Sequence, residues 1–381
     1  MIPGEALLDA FINANILLCV GFLLWTGARL AMSALGLKDA HGTQLKLLNT
    51  VFVAIVLAPF VAVAFQRLQN SGVAGNMKVN LSDMVVAYYL NGGFEMKASE
   101  FEQLVLMRDQ FILNVLSGTG VFAQAIVYVF LAGFAVGLFR LGYSILCLCR
   151  IVGRSYAWRS IGRVRIRLSD NTLVPFSARG WRYYYVVIPS HMLTQSDELR
   201  VSLAHEFQHI RQGDLEWEVV LELLKPFFFL NPMYHIWKCQ VEHLRELSCD
   251  SAVLSLGRID VRTYCETLLS VCQKTLRRDR DFVIAVPKVT LVTADRSVFQ
   301  DGKPSFLEQR ILSLLNARKL ASRRLLFVIT VVPLIGMLAF ATVAIQRPGD
   351  WSHDRLMLST VVNLDRLDEI NRMSTFGRPR N

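Results

Sequence analysis

Apolar and polar stretches alternate along the chain so as to divide it into membrane and non-membrane parts. Four apolar runs reach the roughly 20 residues that a helix needs to cross a hydrocarbon core. They are about Leu7–Trp25, Leu47–Phe65, a stretch within Ile112–Cys149, and Leu325–Ile345. The third is the longest, and its apolar character is expected to continue past the lipid. After it the pattern shortens to β signals at Val164–Leu168, Thr172–Phe176 and Tyr183–Ile188. These are rich in β-branched and aromatic residues and are separated by turn residues at Ser169-Asp-Asn and Ala178-Arg-Gly180, so a small sheet is predicted. Helical periodicity then returns. Thr194-Gln-Ser-Asp197 has the form of a capping box with Asp in the Glu position, opening a helix over Glu198–Gln212. Asn231 suits an N-cap and Pro232 a first helical turn, so a second helix is predicted over about Pro232–Leu256. The apolar run Phe227–Leu230 between the two helices has two readings, a turn that dips into the bilayer or a buried inter-helix turn.

Two segments lie outside this plan. Residues 66–111 form a loop of mixed charge with an amphipathic stretch, Leu81–Leu90, expected to pack against the spans. Residues 346–381 form a tail in which Val361–Met373 is weakly amphipathic.

Composition sharpens the class. Of 381 residues 53% are apolar and 19% charged, and mean hydropathy is +0.37, too apolar for an ordinary soluble enzyme. The net charge of +10 is unevenly placed: residues 150–324 hold 27 Lys/Arg against 18 Asp/Glu, and the remainder 14 against 13. Arg150, Arg154, Arg159, Arg163, Arg165 and Arg167 follow the third span, and Arg318, Lys319, Arg323 and Arg324 precede the fourth. By the positive-inside rule the region between them faces the cytoplasm. Arg29, Lys38 and Lys46 in the first short loop agree, which puts both termini outside. The charge reads as topology and membrane-surface attraction, and direct nucleic-acid binding is not expected. The amino terminus lacks a basic n-region, so insertion is expected to use the first span itself. Seven cysteines without a CxxC pair point to reduced thiols, and Cys147-Leu-Cys149 to apolar filler.

The expected architecture is a mainly α integral membrane protein of the cytoplasmic membrane, with four transmembrane helices and a cytoplasmic α+β domain. Residues 1–149 would form the membrane region with its external loop 66–111, 150–324 the cytoplasmic domain, 325–345 the fourth span and 346–381 a short external tail.

The candidate chemistry lies in His205-Glu-Phe-Gln-His209, an HExxH signature. On a helix His205 and His209 are one turn apart and can share a metal, with Glu206 beside them as general base. Zinc in a peptidase takes three protein ligands and leaves a position for water. The long HExxH pattern with a third histidine fails, because Leu215 stands where that histidine is required. A distant carboxylate must complete the set. Glu246 is the leading candidate and Glu242 the runner-up; Asp250, four residues past Glu246, would accept a hydrogen bond from an imidazole N–H. His243 is expected at the rim of the site, and Asp214 in a helix-end or structural role. Strand Tyr183–Ile188, with Tyr185 and Val187, is expected to be an edge strand to which an extended substrate adds.

The run from His205 to Asp214, then Phe229-Leu-Asn-Pro232, then Glu246 to Leu254, resembles the BlaR/MecR antirepressor metallopeptidases, as do Pro175-Phe-Ser and Val187-Ile-Pro189. The four-span layout is similar too. The resemblance implies a gluzincin-like zinc metallopeptidase with His205, His209 and Glu246 on Zn2+, Glu206 as catalytic base and Asp250 in support. It implies signalling by proteolysis, in which the peptidase cleaves itself and leads to loss of a repressor, a cytosolic protein substrate. One departure is large. The β-lactam receptors of the family carry a penicillin-binding domain after the fourth span, and only 36 residues follow Ile345 here. The stimulus would then enter through loop 66–111, the tail, a partner or the membrane. Self-cleavage is expected near Arg277-Arg278 or Ser305-Phe306. An HtpX-like quality-control protease, or a receptor or scaffold with structural zinc, are the alternatives.

Overall fold

The computed structural model describes residues 3–71, 81–93, 95–117, 120–278, 289–290, 306–315, 323–345 and 353–376. Twelve α-helices and five strands are present among them. Four helices are long and apolar enough to cross a membrane: α1 (Pro3–Ala34), α2 (His41–Asn70), α5 (Val121–Arg154) and α11 (Arg323–Ala344). They fall where the apolar runs predict them.

The chain forms two compact units, Met1–Trp25 with Thr50–Phe130 and Thr330–Asn381, and Thr26–Asn49 with Leu131–Ile329. In the first, α3 (Leu81–Leu90), α4 (Ala98–Ser117) and α12 (His353–Phe376) share a small core of Val86, Ala98, Phe101, Leu358 and Val362. The amphipathic stretch 81–90 is therefore a packed helix, but its partners are α4 and the tail helix. Tyr89 stacks on Phe101 with ring centroids 4.0 Å apart.

The second unit holds the sheet, in the order β1-β2-β4-β3-β5. Strands β1 (Tyr156–Ile161) and β2 (Val164–Ser169) form an antiparallel hairpin; β4 (Tyr184–Pro189) runs parallel to β2 and antiparallel to β3 (Phe176–Arg179). A two-residue strand β5 (Val289–Thr290) pairs with the outer edge of β3. Alternation along β4 sends Val186 and Ile188 to one face and Val187 to the other. The first face packs with Ile166 against α6 (Ser196–Gln212) and α9 (Val261–Arg278), through Leu203, Phe207, Leu268 and Val271. The second face, with Phe176 and Ala178, receives Leu148, Ile151 and Val152 from the end of α5. The third apolar helix thus does run on past membrane length, and its last turns join the core beneath the sheet.

Three local expectations need correction. The predicted strand 172–176 starts only at Phe176 and runs through the Ala178-Arg179 segment expected to be a turn, while β1, exposed along its whole length, was not anticipated. The capping box does not form: Gln195 is the N-cap of α6 and its side chain does not cap the helix, and the Thr194 hydroxyl donates to the His191 carbonyl within a 3-10 turn. Most consequentially, β4 lies between β2 and β3 with both edges paired, so Tyr185 and Val187 are not on an edge strand and cannot take up an added chain.

Candidate metal centre

Helix α6 presents His205, Glu206 and His209 on its inward side, all with no solvent exposure. It ends at Gly213, whose φ of 74° reverses the chain in the left-handed region that a side chain disfavours. Because of that reversal Asp214, the first residue of α7 (Asp214–Leu224), turns back on α6. Its carboxylate lies 2.8 Å from His209 Nδ1. Continued helical phasing would have pointed Asp214 away, so Gly213 is what makes it a partner of the histidine.

Helix α8 (Pro232–Ser255) packs across α6. Asn231 caps it by accepting from the Met233 N–H at 3.0 Å, with Pro232 in its first turn, as the sequence predicts. One face of α8 carries Glu246, Cys249 and Asp250, all buried. The Nε2 atoms of His205 and His209 stand 3.0 Å apart, and the Glu246 carboxylate lies 3.4 Å from the first and 3.6 Å from the second. These three groups could hold a metal. Two ligands each about 2.0–2.1 Å from one tetrahedral ion would stand about 3.4 Å apart, so the spacings fit. Glu242 instead faces Lys238 at 3.2 Å, away from the histidines.

The other edge of each imidazole is already occupied. His205 Nδ1 lies 2.8 Å from the Tyr264 hydroxyl and 3.3 Å from Asp250 Oδ1, and that hydroxyl donates to Asp250 at 2.5 Å. Cys249 approaches the same edge, with its sulfur 3.6 Å from His205 Nδ1. His205, His209 and Cys249 also form a buried group whose ligand atoms lie within 4.8 Å of one another. The cysteine approaches His205 from its Nδ1 side and also lies against His209, whereas the Glu246 carboxylate faces the Nε2 nitrogens of both imidazoles.

Arg310 completes the electrostatics. It lies on α10 (Phe306–Leu315), only 2% exposed, and clamps Asp250 through Nε and Nη2 at 2.7 Å each while Nη1 sits 3.2 Å from Glu246. Burial disfavours charge on both carboxylates, but the guanidinium and the facing histidines together outweigh it and hold each below its usual range. Glu206 has no guanidinium against it, only the two histidines, which pull it down less than burial pushes it up. Apart from the histidines it also faces the buried Ser177 hydroxyl, and neither of its oxygens meets the geometry of a hydrogen bond among the described residues. Burial also opposes protons on the histidines; the Cys249 sulfur and the Asp250 and Asp214 carboxylates outweigh it, raising both, His209 to about 10. A metal would have to displace those protons.

Of the remaining candidates, His243, one turn before Glu246 on α8, packs its ring on Phe306 with centroids 4.1 Å apart, and its Nδ1 lies 3.2 Å from the Cys239 carbonyl. Ser305 lies outside the described residues, as do the side chains of Arg277 and Arg278. Tyr264 and Arg310 have no counterpart among the sequence candidates, and Asp214, expected only in a helix-end or structural role, begins α7 and also supports His209. A signal for Arg310 existed: it interrupts an apolar stripe, Phe306, Arg310, Leu314, at helical spacing.

A helix pair that brings two histidines and a carboxylate together beside a buried glutamate, in a chain with four membrane-length helices, has the features of a membrane metallopeptidase. The chain matches the model of the BlaR1 peptidase M56 family over residues 10–290, and it belongs to that family. No curated protein matches it.

Proposed function

We propose that the protein is a zinc-dependent metalloendopeptidase of the cytoplasmic membrane, with His205, His209 and Glu246 as the metal ligands and Glu206 as the general base. The observation that carries this reading is the convergence of both Nε2 atoms and the Glu246 carboxylate, with Glu206 fully buried beside them. When bound, zinc supplies Lewis-acid polarisation of the scissile carbonyl and of water. Glu206 takes a proton from the attacking water and returns it to the leaving amine, so that one peptide bond and one water become a carboxylate and an amine. A carboxyl raised by burial is suited to that exchange. Asp214 holds His209, and Tyr264 with Asp250 holds His205, each by the nitrogen that faces away from the metal position.

The substrate in this reading is a cytosolic protein such as a transcriptional repressor, the chain itself, or both. Pairing of β5 with β3 supports a self-directed component. Residues 289–290 add as an antiparallel strand to the sheet edge formed by β3, which packs against α6. Substrate addition is therefore assigned to β3 in place of β4. The excess of Lys/Arg in residues 150–324 supports the cytoplasmic side for the peptidase. Loop 66–111 and the tail, joined in one helical core, are the surface where an external signal partner would act.

Cys249 favours the competing reading, a closed structural metal shell in a receptor or scaffold, because a fourth protein ligand would remove the open position. One comparison separates the readings. Glu206→Gln should retain zinc and lose cleavage of a candidate repressor in membranes; equal cleavage by variant and wild type would sink the peptidase mechanism. A broad range of cleaved proteins with no regulated target would favour the HtpX-like alternative.

A further inference from the structure

Helices α7 and α8 form a hairpin with the metal centre at its open end, through Asp214 and Glu246, and the apolar run Phe227–Leu230 at its tip. The tip is seated on α5. Gly133 and Gly137, four residues apart on that helix, leave the room: a Cβ on Gly133 would stand 2.2 Å from the Phe229 ring, and one on Gly137 3.1 Å from Pro226. Phe227 also meets Phe134, with ring centroids 5.0 Å apart. This is small-residue packing of the kind that lets backbones approach within a membrane.

Two independent landmarks set the depth of the tip. On α5 the first charge after the apolar run is Arg140, and Gly133 precedes it by seven residues, about 10 Å of helix. On α8, Gln240 accepts a hydrogen bond at 3.0 Å from Arg29, the first charge after the apolar run of α1. Pro232 lies eight residues before Gln240, about 12 Å of helix toward the tip. Both landmarks place the tip about 10 Å inside the level marked by the arginines.

The middle of the hairpin is also built inside out for water. Four of its charges turn inward and pair: Arg245 with Glu218 at 2.7 Å, Lys238 with Glu218 at 3.1 Å and with Glu222. Its outward side carries Val219, Val220, Leu223, Phe227, Leu230 and Ile236, all exposed. Lys225, beside the tip, is 3.7 Å from Glu222 and about a turn from the level of Arg140, within reach of headgroups.

We propose that the α7–α8 hairpin is a re-entrant wedge whose outward aliphatic side contacts lipid acyl chains, with its tip locked onto the two glycines of the third span. The wedge anchors the metal centre at the membrane face. Glu246 lies six residues beyond Gln240, about 9 Å of helix outside the arginine level. The other landmark agrees, because Gly42, before the apolar run of α2, faces Ser248 at a spacing of 3.2 Å from a notional Cβ to the hydroxyl. A chain cleaved there must come up to the membrane surface.

The test needs no catalytic activity, so it stands or falls separately from the peptidase reading. p-Benzoylphenylalanine is placed singly at Phe227 and Leu230 of the full chain in native membranes, irradiated, and phospholipid adducts are sought by mass spectrometry. Val129, exposed on the apolar part of α5, is the positive control, and Leu256, exposed just past the far end of α8, the negative one. Adducts at 227 and 230 in yield comparable with 129, and none at 256, are expected. Adducts at 129 alone would overturn the wedge while leaving the spans intact, and crosslinks from 227 or 230 to a second copy would replace lipid by a dimer contact. Gly133→Leu, which fills the seat of Phe229, should lower the adduct yield at 230; an unchanged yield would overturn the lock.

Discussion

Replacing Arg310 by Met removes one cation from two buried carboxylates while keeping much of the side-chain volume. Asp250, with no exposure, loses two hydrogen bonds of 2.7 Å, and Glu246 loses a contact of 3.2 Å. Breaking a buried ion pair by removing one partner costs about 3–5 kcal/mol, because the remaining charge stays desolvated. Asp250 keeps the Tyr264 hydroxyl at 2.5 Å, so the loss should not exceed that range. For a unit of roughly 150–250 residues each kcal/mol moves the melting temperature by about 2–4 °C, so Arg310→Met should melt roughly 6–20 °C lower. The assay is thermal unfolding of the full chain in detergent at one scan rate, with and without zinc. Zinc held by Glu246 would restore part of the missing positive charge, so added zinc should raise the melting temperature more in the variant than in the wild type. Arg310→Lys keeps the charge but loses the two-pronged bond to Asp250, and should fall between. A melting temperature for Arg310→Met within about 2 °C of wild type would refute the idea that this guanidinium neutralises the centre.

Other expectations can be checked in the same preparation. Asp214→Ala leaves His209 Nδ1 without its acceptor and should weaken zinc affinity by about 10–100-fold, read by competition with a chromophoric chelator. Cys249→Ser should bind zinc as the wild type does, since its sulfur stands on the Nδ1 side of His205; loss of metal would reassign it as a ligand. Zinc affinity should fall as pH falls, because both raised histidines must give up protons to bind; titrations at several pH values that gave one affinity would contradict this.

The parts legible in the sequence are those encoded by local period. Apolar runs located the four membrane-length helices, HExxH phasing located the face of α6, and the Asn231-Pro232 pair located the start of α8. Spacing on α8 also left Glu246 and Glu242 as competing ligands, and only the observed packing of α8 on α6 brings the first to the histidines while Lys238 takes the second. Strand order is a long-range property. The composition of Tyr183–Ile188 could not reveal that β2 and β3 would flank it, so the edge assignment failed. Asp214 was misplaced because helical phasing was carried through Gly213, where the backbone turns left-handed and the phase is lost. Tyr264 and Arg310 come from helices 14 and 60 residues beyond Asp250, and no spacing rule links them to it.

The two supports of the centre differ in where they are anchored. His209 depends on Asp214 and the metal position on Glu246, and these two residues lie on the two arms of the α7–α8 hairpin. The Asp250 side depends on Arg310 from α10, which precedes the fourth apolar helix in the chain. A shift of the hairpin would therefore displace a histidine's acceptor and a metal ligand together. Withdrawal of α10 would instead leave Glu246 and Asp250 buried without their cation, a state whose cost of several kcal/mol opposes it unless a metal is bound. Binding of zinc and seating of α10 are thus coupled through Glu246, and the coupling must be reciprocal. Zinc should partly relieve the penalty of losing Arg310, and loss of Arg310 should raise the stabilisation that zinc provides.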